Sequence, residues 1–145
     1  MKIVICSSID FTYEVKEVAD KLEKAGHVVE IPLTSQRILR GEMTLEEFKK
    51  EKERDGDGFV RKVKEDLIRR YFEIIKNNDV VLVVNCRKNG VENYIGGNTF
   101  LEMGFAHVLR KKIFLLNPIS ELSYHDELVA MEPVVLDGDL EKIKD

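Results

Sequence analysis

The stretch VVLVV, residues 80–84, decides the fold. Five apolar residues, four of them valine, stand between the polar turn Asn77-Asn78-Asp79 and Asn85. A run this short and this rich in β-branched residues reads as a strand buried on both faces. Strands of that kind belong to parallel sheets covered by helices on each side.

Working outward, KIVIC (2–6) and KIFLL (112–116) are two more buried runs, while HVVEI (27–31), closed by Pro32, and PVVL (133–136) are shorter. Helical periodicity fills the gaps between them. From Tyr13 to Ala25 the residues Val15, Val18, Ala19, Leu22 and Ala25 fall on one face, and Gly26 ends the pattern. Phe59 to Lys76 is a second such segment, with Val60, Val63, Leu67, Ile68, Phe72 and Ile75 expected inward. A third runs from about Thr99 to Leu109.

Residues 34–58 are less regular. Thr44 and Glu47 form a capping box that opens a charged helix to about Arg54, and DGDG (55–58) is expected to break it. That tetrad has the look of a calcium loop, but Val60 stands where such a loop needs glycine, so calcium is rejected. Residues 117–127 read as a loop with a short helix near its end, and a short helix closes the chain.

Strands alternating with helices predict an α/β protein. The expectation is one domain over 1–145: a flavodoxin-like, Rossmann-like three-layer sandwich with a five-stranded parallel sheet, order 2-1-3-4-5.

Composition narrows the function classes. With 23 basic and 27 acidic residues the net charge is −4, and the basic excess of a polymeric nucleic-acid binder is missing. No segment is long and apolar enough to span a membrane. Cys6 and Cys86 do not form a CxxC pair, so zinc and dithiol motifs are not expected, and a reducing cytoplasm is the simplest compartment. No metal cluster, cofactor fingerprint or nucleophilic triad is visible, so no cofactor is expected.

In a sheet ordered 2-1-3-4-5, ligands sit at the carboxyl ends of the strands where the order reverses, between strands one and three. That point gathers SSID (7–10), the loop that starts at Asn85, and the segment GGNTFLEMGFAH (96–107). Gly96 and Gly97 allow a close backbone approach, and Asn98 or Thr99 is expected to cap the next helix. Free N–H groups there suit an anion such as phosphate. Glu102 has two readings: Thr99 and Glu102 form a capping box, or the carboxylate faces the cleft as a nucleophile or base. Ser7 and Ser8 either cap the next helix or hold a sugar or phosphate, and Asp10 is a cap or a contact in the same pocket. Tyr71 and Tyr94 are further candidates for the pocket, as is Asn117 at the end of the fourth strand. Asp79 is expected to start a strand, His107 to lie away from Glu102, and His125 to sit in a loop near a possible site.

Three stretches, KIVICSSI, NDVVLVV and GGNTFLEMGFAHVLRKKIFLLNP, resemble the nucleoside 2-deoxyribosyltransferase superfamily, which includes the 2'-deoxynucleoside 5'-phosphate N-hydrolases. The most specific piece is a small-residue loop followed by Glu102-Met103-Gly104-Phe105-Ala106. The resemblance implies a small-molecule ligand, a deoxynucleoside or nucleotide, whose anomeric carbon Glu102 attacks to expel the base. Water or another base then takes the glycosyl group. It also implies that Gly96, Gly97 and Asn98 hold a 5'-phosphate, and that Ser7, Ser8 and Ile9 match the family's substrate loop. Gly96 replaces an aspartate of the transferase branch, and Tyr71 stands where the family has an aspartate. Homodimers or larger homo-oligomers are the implied assembly, with loop 117–126 completing a neighbour's site. The alternative is a nucleotide-binding module of the same fold without turnover.

Overall fold

In the computed structural model, which describes residues 1–144, five strands pair only in parallel. They are β1 (Lys2–Cys6), β2 (Val28–Glu30), β3 (Val80–Val83), β4 (Lys112–Leu115) and β5 (Val134–Val135), in the order β2-β1-β3-β4-β5. The run that opened the sequence reading is the central strand, and all four residues of β3 are buried. The helices are α1 (Thr12–Lys24), α2 (Leu33–Leu39), α3 (Leu45–Asn77), α4 (Gly97–Val108) and α5 (His125–Ala130), with 3-10 turns at Ile9–Phe11 and Leu140–Lys142.

The pleat sorts the core into two halves. Ile3 and Ile5 of β1, with Val80 and Leu82 of β3, face α1 and pack on Val15, Val18, Ala19 and Leu22. Val4 and Cys6, with Val81 and Val83, face the other way and pack on Tyr71 and Ile75 of α3 and on Met103 and Ala106 of α4. Ala25, expected on the inner face of α1, is exposed, because it is the C-cap and the helix has already ended.

Three departures from the expected elements have local causes. Residues Leu33–Leu39 form a short helix where no regular pattern was read. It buries only Ser35 and Ile38, too little to give a periodic signal. The closing helix is a single 3-10 turn. DGDG breaks α3 at one residue only: Gly56 takes φ 50°, ψ −129°, and the chain resumes as helix on a new axis. The Thr44–Glu47 capping box is present in full. Beyond the kink, Ile68 is exposed and Val60, Val63, Leu67 and Phe72 are only partly buried. Several of these residues line a cleft instead of a core.

Candidate functional site

The cleft opens between the carboxyl ends of β1 and β3, at the switch point of the strand order, and holds about 310 Å³. Ser7, Ser8 and Ile9 leave β1 into it. Ser7 Oγ donates to the Ser8 carbonyl at 2.8 Å, and Ser8 Oγ caps the following 3-10 turn by accepting from the Asp10 amide. Ser8 thus takes the capping role, Ser7 does not, and both line the cleft.

Gly96, Gly97, Asn98 and Glu102 form the opposite wall. Here the capping expectation is corrected. Gly96 is the N-cap of α4 and the helix begins at Gly97, so Thr99 lies inside the first turn, buried, with no capping bond. The first ladder bond runs from the Phe100 amide to the Gly96 carbonyl at 2.9 Å. Glu102 thus stands on the second turn, too far along to return a capping bond. Of its two readings the capping box is lost. Gly96 has an ordinary φ of −83°, so its need for glycine is spatial. A Cβ there would meet the Tyr94 ring at 3.2 Å and its hydroxyl at 3.3 Å.

Glu102 is the one carboxylate lining the cleft among the described residues. Burial pushes its pKa from the ordinary 4.5 up to about 8, against a hydrogen bond with the Cys6 thiol and the nearby charge of Lys64, both of which pull it down. The same burial raises the thiol of Cys6, and the Glu102 charge adds to it. The phenol of Tyr71 is raised well above its usual value by burial, then by Cys6 and Glu102. Its hydroxyl donates to the Ile5 carbonyl, so Tyr71 lines the cleft with its proton already engaged. Tyr94 also lines the cleft, with the Lys88 ammonium 5.0 Å from its ring centre.

Two expected site residues are placed elsewhere. Asp10 does not line the cleft; its carboxylate takes Lys49 of α3 and Lys88 at 2.5 Å. Burial alone would raise that carboxyl, but the hydrogen bonds and charges of the two lysines outweigh it and hold it below its usual range. Asn117 is also outside. Its amide N–H bonds Asn85 Oδ1 at 2.9 Å and its side chain bonds the Asn85 carbonyl at 2.9 Å, while Asn85 Nδ2 returns to the Asn117 and Pro118 carbonyls. These bonds join the ends of β3 and β4 and hold Asn117 out of the cleft. His125 bonds the Ser120 carbonyl at 2.9 Å, and His107 is exposed away from the cleft. Within loop 117–126, Ser120 donates to the Asn93 carbonyl and Tyr124 to the Ile95 carbonyl, so in this chain the loop braces the approach to Gly96. Asp79 behaves as expected, accepting the Lys2 amide at 2.7 Å.

Lys52, Lys64 and Lys88 line the cleft and were not anticipated. One signal was available for Lys64: it interrupts the stripe Val60, Val63, Leu67, Ile68, Tyr71 at helical spacing, where a charge needs a reason. Phe48, Phe59, Leu101 and Phe105 complete the apolar side, with Phe48 and Phe59 edge-on at 5.4 Å. No group of His, Cys, Asp and Glu suited to a metal occurs among the described residues, and no described helix is long and apolar enough to cross a membrane.

No protein-family model, curated protein or solved structure matches the chain.

Proposed function

We propose that the cleft binds a 2'-deoxynucleoside or its 5'-monophosphate and cleaves or transfers the N-glycosidic bond, with Glu102 as nucleophile. The observation that carries this reading is a single carboxylate in a half-apolar cleft at the strand-order switch, with a glycine-led helix start and lysines beside it. In the forward step the Glu102 carboxylate bonds the anomeric carbon, the C–N bond breaks, and its electron pair leaves with the base, which takes up a proton. Tyr94 is the cleft phenol available to give that proton, since Tyr71 is engaged by Ile5. Water or a second base then attacks the same carbon and frees Glu102.

A second reading, a nucleotide-binding module without turnover, has its own support. With a pKa of about 8, the Glu102 carboxyl of the free protein is mostly protonated at neutral pH, and among the described residues no second carboxyl group lines the cleft to protonate a leaving base. Either reading carries the homo-oligomer that the resemblance implies, which would cover exposed apolar surface such as Val108 of α4, and sedimentation would measure it.

The test is a panel of 2'-deoxynucleosides and their 5'-monophosphates, with released base measured by chromatography. Base release by wild type and none by Glu102→Ala supports the enzyme. Equal release by a folded Glu102→Ala removes the nucleophile assignment. Melting-temperature rises without release leave the binding module.

A further inference from the structure

One part of the cleft wall is attached differently from the rest: residues 42–55, the arm of α3 ahead of its kink with the turn before it. A glycine with positive φ stands at each end, Gly41 at 78° and Gly56 at 50°. A Cβ at either would meet nothing within 4 Å, so glycine serves there for backbone freedom and not for space. The chain is anchored outside these two points, with Ser35 and Ile38 buried before Gly41 and Phe59 buried after Gly56. Between them no residue is buried, and only Met43, Leu45 and Phe48 are partly covered. The arm is nonetheless firm in itself, because the Thr44–Glu47 capping box starts its helix and the ladder runs to the kink. Its inner side reaches the cleft through Phe48 and Lys52. Two contacts hold it there. The Lys49 ammonium closes on the Asp10 carboxylate, which Lys88 and Ser8 Oγ hold from the other side. The Phe48 ring meets Phe59 edge-on at 5.4 Å, across the kink. The Lys49 side chain is 52% exposed, and an ion pair with one partner in water is weak enough to open readily.

We propose that residues 42–55 form a hinged lid on the cleft, pivoting at Gly41 and Gly56 and latched shut by the Lys49–Asp10 ion pair. A capped helix between two glycine pivots swings as one body, with the backbone angles at its ends absorbing the change. In the latched position Phe48 and Lys52 complete the cleft wall. Swung away, the arm uncovers the stripe from Phe59 to Leu67 and lets a ligand pass. Phe48 leaves Phe59 in that motion, so the aromatic contact adds to the latch. The latch point is well placed. Asp10 sits on the turn that leaves β1, so one carboxylate ties the lid to both the β1 end and the loop that carries Lys88. The lid gates the cleft whatever ligand it takes, so it stands apart from the nucleotide reading.

The experiment needs no ligand. Cys86→Ser removes the half-buried thiol, and Cys6 is fully buried. In that background, spin labels at Lys50→Cys on the lid and His107→Cys on α4, both exposed, give the lid-to-wall distance by pulsed electron spin resonance. A short, latched distance is expected for the unmodified latch. Lys49→Met is expected to raise the longer-distance population on the order of threefold to tenfold, the scale of a partly exposed ion pair. High salt does the same to the intact latch. Gly56→Ala, strained at φ 50°, shifts the distance with the latch residues in place. Lys49 is exposed, so its loss tests the lid whatever Gly56→Ala does to folding. Lys21→Met, which breaks an ion pair with Glu17 on α1, leaves the distance unchanged. The gate is read separately, as the rate at which N-ethylmaleimide alkylates Leu67→Cys on the cleft wall, with exposed Tyr13→Cys on α1 as reference. Lys49→Met is expected to speed the first by the same factor and leave the second alone. One distance distribution shared by the intact latch, Lys49→Met and Gly56→Ala overturns the lid. A lengthened distance with no gain in alkylation overturns the gate. Alkylation gained equally at both sites marks a loosened fold and overturns the proposal as well.

Discussion

The two faces of the sheet are built from alternate residues of the same strands, yet only one gathers buried titratable groups at a cleft. On the α1 face, Ile3, Ile5, Val80, Leu82 and Phe114 meet Val15, Val18 and Leu22 with no titratable side chain among the buried members. On the α3–α4 face, one step along each strand, Val4, Val81 and Val83 meet helices that also bring Tyr71 and Glu102 up to Cys6. The first face is closed by packing. The second stops short of closing, because α3 is kinked at Gly56 and its stripe from Val60 to Ile68 stands over the cleft. Identical strand chemistry thus gives a wall or a pocket, depending on what the crossover helices lay against it.

This contrast can be broken at either face. The largest effect is expected on the pocket side: Glu102→Gln should lower any base release by at least about a thousandfold with the melting temperature kept, since a neutral amide is no substitute for the proposed nucleophile. On the wall side, Phe114→Ala should cost about 3–5 kcal/mol in chemical denaturation, with ligand affinity of the folded fraction unchanged. If Phe114→Ala alters affinity as much as stability, the faces are not independent.

Protonation sharpens the comparison further. The folded state holds the Glu102 proton up to about pH 8, while the unfolded chain releases it near 4.5. The native state therefore binds more protons across that window. The associated stability is full below about pH 4.5, and it is lost as pH rises toward 8. At about 1.4 kcal/mol per pH unit, the total is a few kcal/mol. Urea titrations from pH 5 to 9 should show this decline in wild type and a flatter profile in Glu102→Gln. Base release should move oppositely, climbing with pH until the carboxyl is ionised near 8. The smallest expected effect is Tyr71→Phe, which removes the hydroxyl bond to Ile5 and should cost about 1 kcal/mol in the same titration.

The sheet was legible because buried parallel strands announce themselves as apolar runs, and every strand order rule then applies without side-chain detail. Ser7, Ser8, Gly96 to Asn98 and Glu102 were legible for the same reason, as each lies within a few residues of a strand end or on the helix that the loop launches. Asn117 and Asp10 also end or follow β-strands but point their polar groups at Asn85 and at two lysines, partners 32 or more residues away in sequence. Local pattern carries no trace of such pairings. The lysines were hidden differently. Lys52 and Lys64 lie on either side of the kink at Gly56, and no periodicity read along one straight helix brings those two segments to the same cleft.

The all-parallel register also has a kinetic side. No strand pairs with a neighbour across a tight turn; the bond from the Lys2 amide to Asp79, at the start of the central pairing, closes 77 residues. Loop closure of that length precedes any reward from β1 meeting β3, so folding should be slow for a chain of this size, on the order of milliseconds to seconds. The cleft needs β1, α3 and α4 assembled around that same pairing. A ligand that touches all three can therefore bind only after that pairing has formed.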